Sequence, residues 1–183
     1  MKEHKFKKRE VALTGTLYPT PVALITTKGK GEETNIFTAA WVSQVSMTPP
    51  HVAVAVRPSR FSYSLIEESN EFGVNLPTTE MVKEVDLCGN ISGREADKWK
   101  LTGFTEEKAS VISASLIREC PLSIECRVVE KVDVGTHRLF IGEVVARHEA
   151  ENFLAENLLC YVSPDYRNIG KKRFGYYGFS KKI

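Results

Sequence analysis

Pro21-Val-Ala-Leu-Ile-Thr-Thr27, Lys28-Gly-Lys-Gly31 and Asn35-Ile-Phe-Thr-Ala-Ala-Trp41 follow one another closely, and together they decide the fold. The first is a nearly continuous apolar run, short and rich in β-branched residues, as expected of a strand buried on both faces. Lys28 to Gly31 reads as a tight connection, because glycine takes up turn geometry without steric penalty. The chain then resumes an extended course from Asn35 to Ala40, which makes the pair a hairpin.

Working outward, residues 51–57, 72–76, 122–134 and 138–147 carry the same strand signals between Pro, Gly and Asn. Asp133-Val134-Gly135 marks a second hairpin. Helical patterns fall between the strands at residues 61–68, following Ser59, and at 79–87, where Met81, Val82 and Val85 share a face. Ser92-Gly93-Arg94-Glu95 has the form of a capping box opening a helix towards Trp99. The prediction is a mainly β fold, an antiparallel, closed or nearly closed barrel with peripheral helices. It forms one domain over residues 1–183, with residues 1–15 and 170–183 as peripheral terminal extensions.

Composition narrows the function classes. At 42% hydrophobic and 26% charged residues, the chain is an ordinary globular sequence and not a disordered one. The formal charge of +2 comes mostly from the two ends, and the interior lacks the basic, aromatic-interleaved stripe of a nucleic-acid partner. The basic N-terminus has no apolar run behind it to act as a secretory signal. No window approaches the ~18 apolar residues of a membrane span. A cytoplasmic protein is expected, with Cys88, Cys120, Cys126 and Cys160 as small apolar residues in a reducing compartment. His4, His51, His137 and His148 are too scattered to argue a metal site.

No hydrolase, protease or nucleotide-loop signature is present, so any catalysis belongs to a cofactor and no catalytic side chain is assigned. Three stretches have cofactor-binding chemistry. Asn35 and Thr38 offer an amide and a hydroxyl, Ala39 and Ala40 leave room for a flat ligand, and Trp41 can cover a ring or plug the core. Arg57-Pro-Ser-Arg-Phe-Ser-Tyr-Ser64 places guanidinium and hydroxyl groups at a strand-to-helix junction, either a phosphate pocket or an ordinary helix start with exposed arginines. Ser92 with Lys98 forms a further hydroxyl-plus-cation group, and His137 opens the last long strand.

The order of these stretches, with Val45-Ser-x-x-Pro-Pro50, Phe72-Gly-Val-Asn75, Asp97-Lys98-Trp99 and Gly142-Glu-Val144 between and after them, resembles the flavin reductase-like FMN-binding family, particularly its flavoredoxin-type members. The match runs from about Tyr18 to about Ala146. The resemblance implies a six-stranded antiparallel Greek-key split barrel that holds FMN at a homodimer interface. It implies Asn35 and Thr38 at the flavin or its chain, Asn75 among the cofactor-binding residues, Trp41 beside the ring system, and Arg57, Ser59, Ser62 and Ser64 near the phosphate. Ser92 and Lys98 would help to hold the cofactor, and His137 would approach the rings. Thr136 and Trp99 depart from the Asp and Phe frequent at these places. The implied activity is an oxidoreductase passing electrons from NAD(P)H through FMN to a flavin, ferric iron or another acceptor. The alternatives are a nonenzymatic electron carrier serving a redox partner, and a barrel without flavin acting as a binding module.

Overall fold

The computed structural model describes residues 8–10, 17 and 19–161. The terminal extensions expected at 1–15 and 170–183 lie outside the described residues, apart from 8–10. In order, the elements are β1 (Thr20–Pro21), β2 (Ala23–Lys28), β3 (Thr34–Ala39), β4 (Val42–Met47), β5 (Pro50–Val56), α1 (Phe61–Ser69) and β6 (Glu71–Leu76). A 3₁₀ turn (Thr79–Met81) leads into α2 (Val82–Asn90) and α3 (Lys98–Thr102). Then come β7 (Glu106–Glu107), β8 (Leu116–Ile117), β9 (Leu122–Val134), β10 (His137–Glu149) and β11 (Cys160–Tyr161).

The main sheet has the order β3-β2-β6-β9-β10-β5-β4, and every neighbouring pair is antiparallel. Its seven strands include β4, one more than the six the resemblance implies. Val42 is the one fully buried residue of β4, so this edge strand lacks the alternation that would mark it in sequence. Among the described residues, no helix is long and apolar enough to cross a membrane.

Strand β2 shows why its run is apolar throughout. Ala23 and Ile25 face the barrel interior with Val54, Phe72 and Phe140. Leu24 faces the opposite way, joining Val22, Ile36, Val85 of α2 and Trp99 of α3 in a second cluster. The β2–β3 connection closes with a 3.0 Å bond from the Gly29 amide to the Glu33 carbonyl. In the β9–β10 hairpin Val134 pairs with His137, and Gly135 at the first loop position has φ +55°, a conformation glycine adopts freely. Gly142 is required by packing: a Cβ there would lie 2.8 Å from Cys126 and from the Phe72 ring.

The helical expectations are met in part. Helix α1 begins at Phe61, and the 79–87 pattern becomes the 3₁₀ turn followed by α2. The capping-box reading of Ser92 is corrected. The Ser92 hydroxyl accepts from the Arg94 amide within a turn, while α3 starts at Lys98 with Asp97 accepting from the Trp99 and Lys100 amides. All four cysteines are free, three buried and Cys160 half-buried. Cys120 lies outside β9 and packs against the helices, whereas Cys126 belongs to the barrel core, so the two share no face.

Loop 108–115 is held by carboxylates from the sheet. Glu125 on β9 is fully buried and accepts from the amides of Ser110, Val111 and Ile112 at 2.7, 2.7 and 3.0 Å, and from His148 at 2.7 Å. Glu71 on β6 accepts from the amide and hydroxyl of Ser113. Burial alone would raise the Glu125 pKa, but the Ser110 amide, His148 and the other two amides outweigh it and hold the carboxyl below its ordinary value. Its contribution to stability is therefore complete above the ordinary glutamate range and lost as pH falls through the lowered value. Glu125→Gln should cost about 3 kcal/mol at pH 7, by urea unfolding, and the difference from wild type should shrink below about pH 4.

Candidate functional site

Where β3 ends, β5 gives way to α1, and α2 meets the 91–97 turn, the described residues enclose a cleft of about 400 Å³. Its lining contains Arg57, Arg60, Arg94 and Lys98 and no carboxylate. The α1 N-terminus opens here with Arg60 at the N-cap and no side-chain cap, so the first helical amides carry their partial positive charge towards the cleft. Such a surface receives an anion.

Buried polar groups fix the floor. Ser62, only 1% exposed, accepts at Oγ from Asn35 Nδ2 at 2.8 Å, and its hydroxyl lies 3.1 Å from that of Thr27. Gly93 makes this approach possible, because a Cβ there would stand 2.3 Å from Asn35 Oδ1 and 2.7 Å from the Phe61 ring. Lys98 is buried and donates 2.8 Å bonds to the Ile36 and Cys88 carbonyls, joining β3 to α2. Arg94 donates to the Ser59 carbonyl at 3.0 Å and lies over the Phe61 ring, joining the 91–97 turn to the start of α1.

An aromatic wall completes the cleft. The Trp41 and His137 rings are 4.6 Å apart and tilted by 49°. Arg57 Nε donates to His137 Nε2 at 3.3 Å, while Nδ1 meets the Thr136 hydroxyl at 2.8 Å. Burial, then the charges of Arg57 and Arg60, lowers the His137 pKa. The ring is therefore neutral at pH 7, with Nε2 as acceptor and Nδ1–H as donor. Trp41 is 51% exposed, so it walls the cleft and does not plug the core.

Of the residues the sequence singled out, Asn35, Thr38, Ala39, Ala40, Trp41, Arg57, Ser59, Ser62, Ser92, Lys98 and His137 come together here. Two do not, and their place in the set is corrected. The Ser64 hydroxyl turns back to the Phe61 carbonyl at 2.8 Å inside its own helix. Asn75 is fully buried: its amide donates to the Leu24 carbonyl and Thr26 and accepts from the Ile117 amide and Ser123, so it ties β2, β6, β8 and β9 together. Sequence reasoning placed Arg60 among the guanidinium groups of the phosphate motif and Arg94 inside the 92–95 motif, but singled out neither as a site residue. It also passed over Phe37 and Phe61, whose apolar character gives no signal that they border a cleft. Among the described residues no cluster of His, Cys, Asp and Glu has metal-site form.

An antiparallel barrel with a cationic cleft and an aromatic wall defines a class of proteins shaped for a flat, anionic ligand. Residues 14–170 match the Flavin reductase like domain, and the chain belongs to that family. It is 38% identical over 129 residues to an uncharacterized protein of Archaeoglobus fulgidus, covering 70% of this chain and 72% of that one. It is 34% identical over 138 residues to the NADH-dependent FMN reductase AsuE2 of Streptomyces nodosus subsp. asukaensis, covering 74% and 71%. Flavoredoxin from Methanosarcina acetivorans superposes with a TM-score of 0.84 at 31% identity, covering 97% of this chain and 94% of that one.

With half its surface in solvent, Trp41 holds little of the core. Trp41→Ala should unfold within about 1 kcal/mol of wild type, where removal of a core tryptophan costs about 3–5 kcal/mol. Thermal or urea unfolding of the flavin-free variant checks this.

Proposed function

We propose that this chain binds FMN in the cleft and works as an NAD(P)H-dependent oxidoreductase that passes electrons to a flavin, ferric iron or another acceptor. The observation that carries the reading is the lining itself: four cations and an uncapped helix N-terminus, unopposed by any carboxylate, beside an aromatic wall. Kinship to a protein named as an NADH-dependent FMN reductase supports the reaction class.

FMN supplies the acceptance of hydride and its release as electrons. The protein's own groups bind and orient it. Arg60, Ser59, Ser62 and the α1 amides hold the phosphate, with Arg57 and Arg94 adding charge. Asn35, Thr38 and Ser92 offer polar contacts to the cofactor, Ala39 and Ala40 leave room for the rings, and Trp41 with His137 flanks them. Neutral His137, its nitrogens engaged by Arg57 and Thr136, adds no further cation beside the rings.

The working form in this proposal is a cytoplasmic homodimer with FMN at its interface. Trp41, Val45 and Met47 are exposed by 51%, 52% and 82% along the edge of the sheet beside the cleft, and a second subunit would cover them. The alternative, a nonenzymatic FMN carrier serving a redox partner, is favoured by the likeness to flavoredoxin over 97% of the chain.

The purified protein should be yellow, absorbing near ~450 nm as bound flavin does. Steady oxidation of NADH or NADPH with added FMN or a ferric chelate separates the two readings. Turnover supports the enzyme, whereas a bound flavin that no nicotinamide nucleotide reduces supports the carrier. Arg60→Ala should weaken FMN about tenfold and leave riboflavin affinity unchanged, by fluorescence quenching. Equal losses for both ligands would remove Arg60 from the phosphate. Sedimentation of a flavin-saturated monomer would contradict the dimer.

A further inference from the structure

Lys98 is an unusual charge for this molecule. Its side chain is only 4% exposed, yet its described partners are two carbonyls, and none of the ion pairs among the described residues includes it. Buried cations are ordinarily paired with an anion. An ammonium has three donors, so one N–H remains for the cleft that Lys98 lines.

The neighbouring groups do not supply the missing charge. Strand β3 carries no titratable side chain on either face. Helix α2 offers the Cys88 thiol, with Glu84 behind it, and the Cys88 pKa is pushed up to about 11 by burial. Arg60, ahead of α1, repels Lys98. Arg57, Arg94, His137 and Tyr161 line the same cleft. On its own helix, Asp97 is occupied by the Trp99 and Lys100 amides and the Lys100 ammonium.

We propose that Lys98 couples cofactor binding to proton uptake: the FMN phosphate brings the counter-charge that the buried amine lacks, and its arrival draws a proton from solvent onto Nζ. The inference rests on the reading that FMN occupies this cleft. Before binding, burial pulls the Lys98 pKa down to about 8, with Cys88 opposing and Arg60 reinforcing the shift. A phosphate beside the ammonium pushes the value up again. Because the complex then holds more protons than the free protein above pH 8, FMN affinity declines as pH rises. The loss from this one group is about tenfold between pH 7 and pH 9.

The test is titration calorimetry of the flavin-free full chain at pH 8.5, in two phosphate-free buffers of unlike ionisation enthalpy, with FMN and with riboflavin. FMN binding should take up about three-quarters of a proton and riboflavin close to none. Lys98→Met should abolish the uptake, and Lys98→Arg, which stays charged, should bind FMN with an affinity that is flat from pH 7 to pH 9. The wild-type proton count requires no variant to fold. FMN binding without proton uptake, or equal uptake with riboflavin, would overturn the coupling while leaving the FMN reading in place. Failure to bind FMN at any pH would remove that reading and the coupling with it.

Discussion

Burial of strand β2 on both faces organises this molecule. Ala23 and Ile25 belong to the barrel interior, while Val22 and Leu24 lie under the helices, so one strand is shared by two hydrophobic clusters. A sheet that is half-buried on one side needs only alternate apolar residues, but a strand between two layers needs them throughout. Once β2 is fixed, its hairpin partner β3 is fixed with it. Strand β3, from Asn35 near its start to Thr38 and Ala39 at its end, with Ala40 just beyond, then lies along the boundary between barrel and helices.

That boundary is where binding chemistry gathers. Thr27 and Asn35 meet Ser62 at the start of α1, Lys98 reaches from α3 to the Ile36 and Cys88 carbonyls, and Thr38 donates to the Val85 carbonyl on α2. All but the Lys98–Cys88 bond, which joins α3 to α2, cross between sheet and helix, and each satisfies a polar group that would otherwise be costly to bury. The cations around them repel one another, a local electrostatic cost that an anion bound there would relieve. Asn75, Glu125 and Glu71 do the opposite work: their acceptors are filled by backbone amides and neighbouring side chains, which ties the 110–117 segment to the sheet.

Much of the fold was legible because strand periodicity is local. The continuous runs in β2 and β5 and the glycine-marked hairpins required only the sequence. Strand β4 was not legible, since an edge strand with one buried residue has no pattern to read. Ser92 misled for a related reason: its hydroxyl is satisfied by a local turn, and the true cap, Asp97, sits five residues later. Asn75 illustrates the limit at the site, because a polar residue in a familiar motif looks the same whether it faces a ligand or a buried amide.

The sequence by itself determined the strand order along the chain, the apolar layers and the residue types available for a flat anion, because each follows from periodicity and side-chain chemistry within a few residues. Only the tertiary structure decided which of those residues share one cleft. Arg57 meets His137 eighty positions away, and Lys98 reaches the carbonyl of Ile36 sixty-two positions away. Side-chain chemistry is written into each residue, whereas pairing across such separations exists only after the sheet has closed and the helices have packed against it.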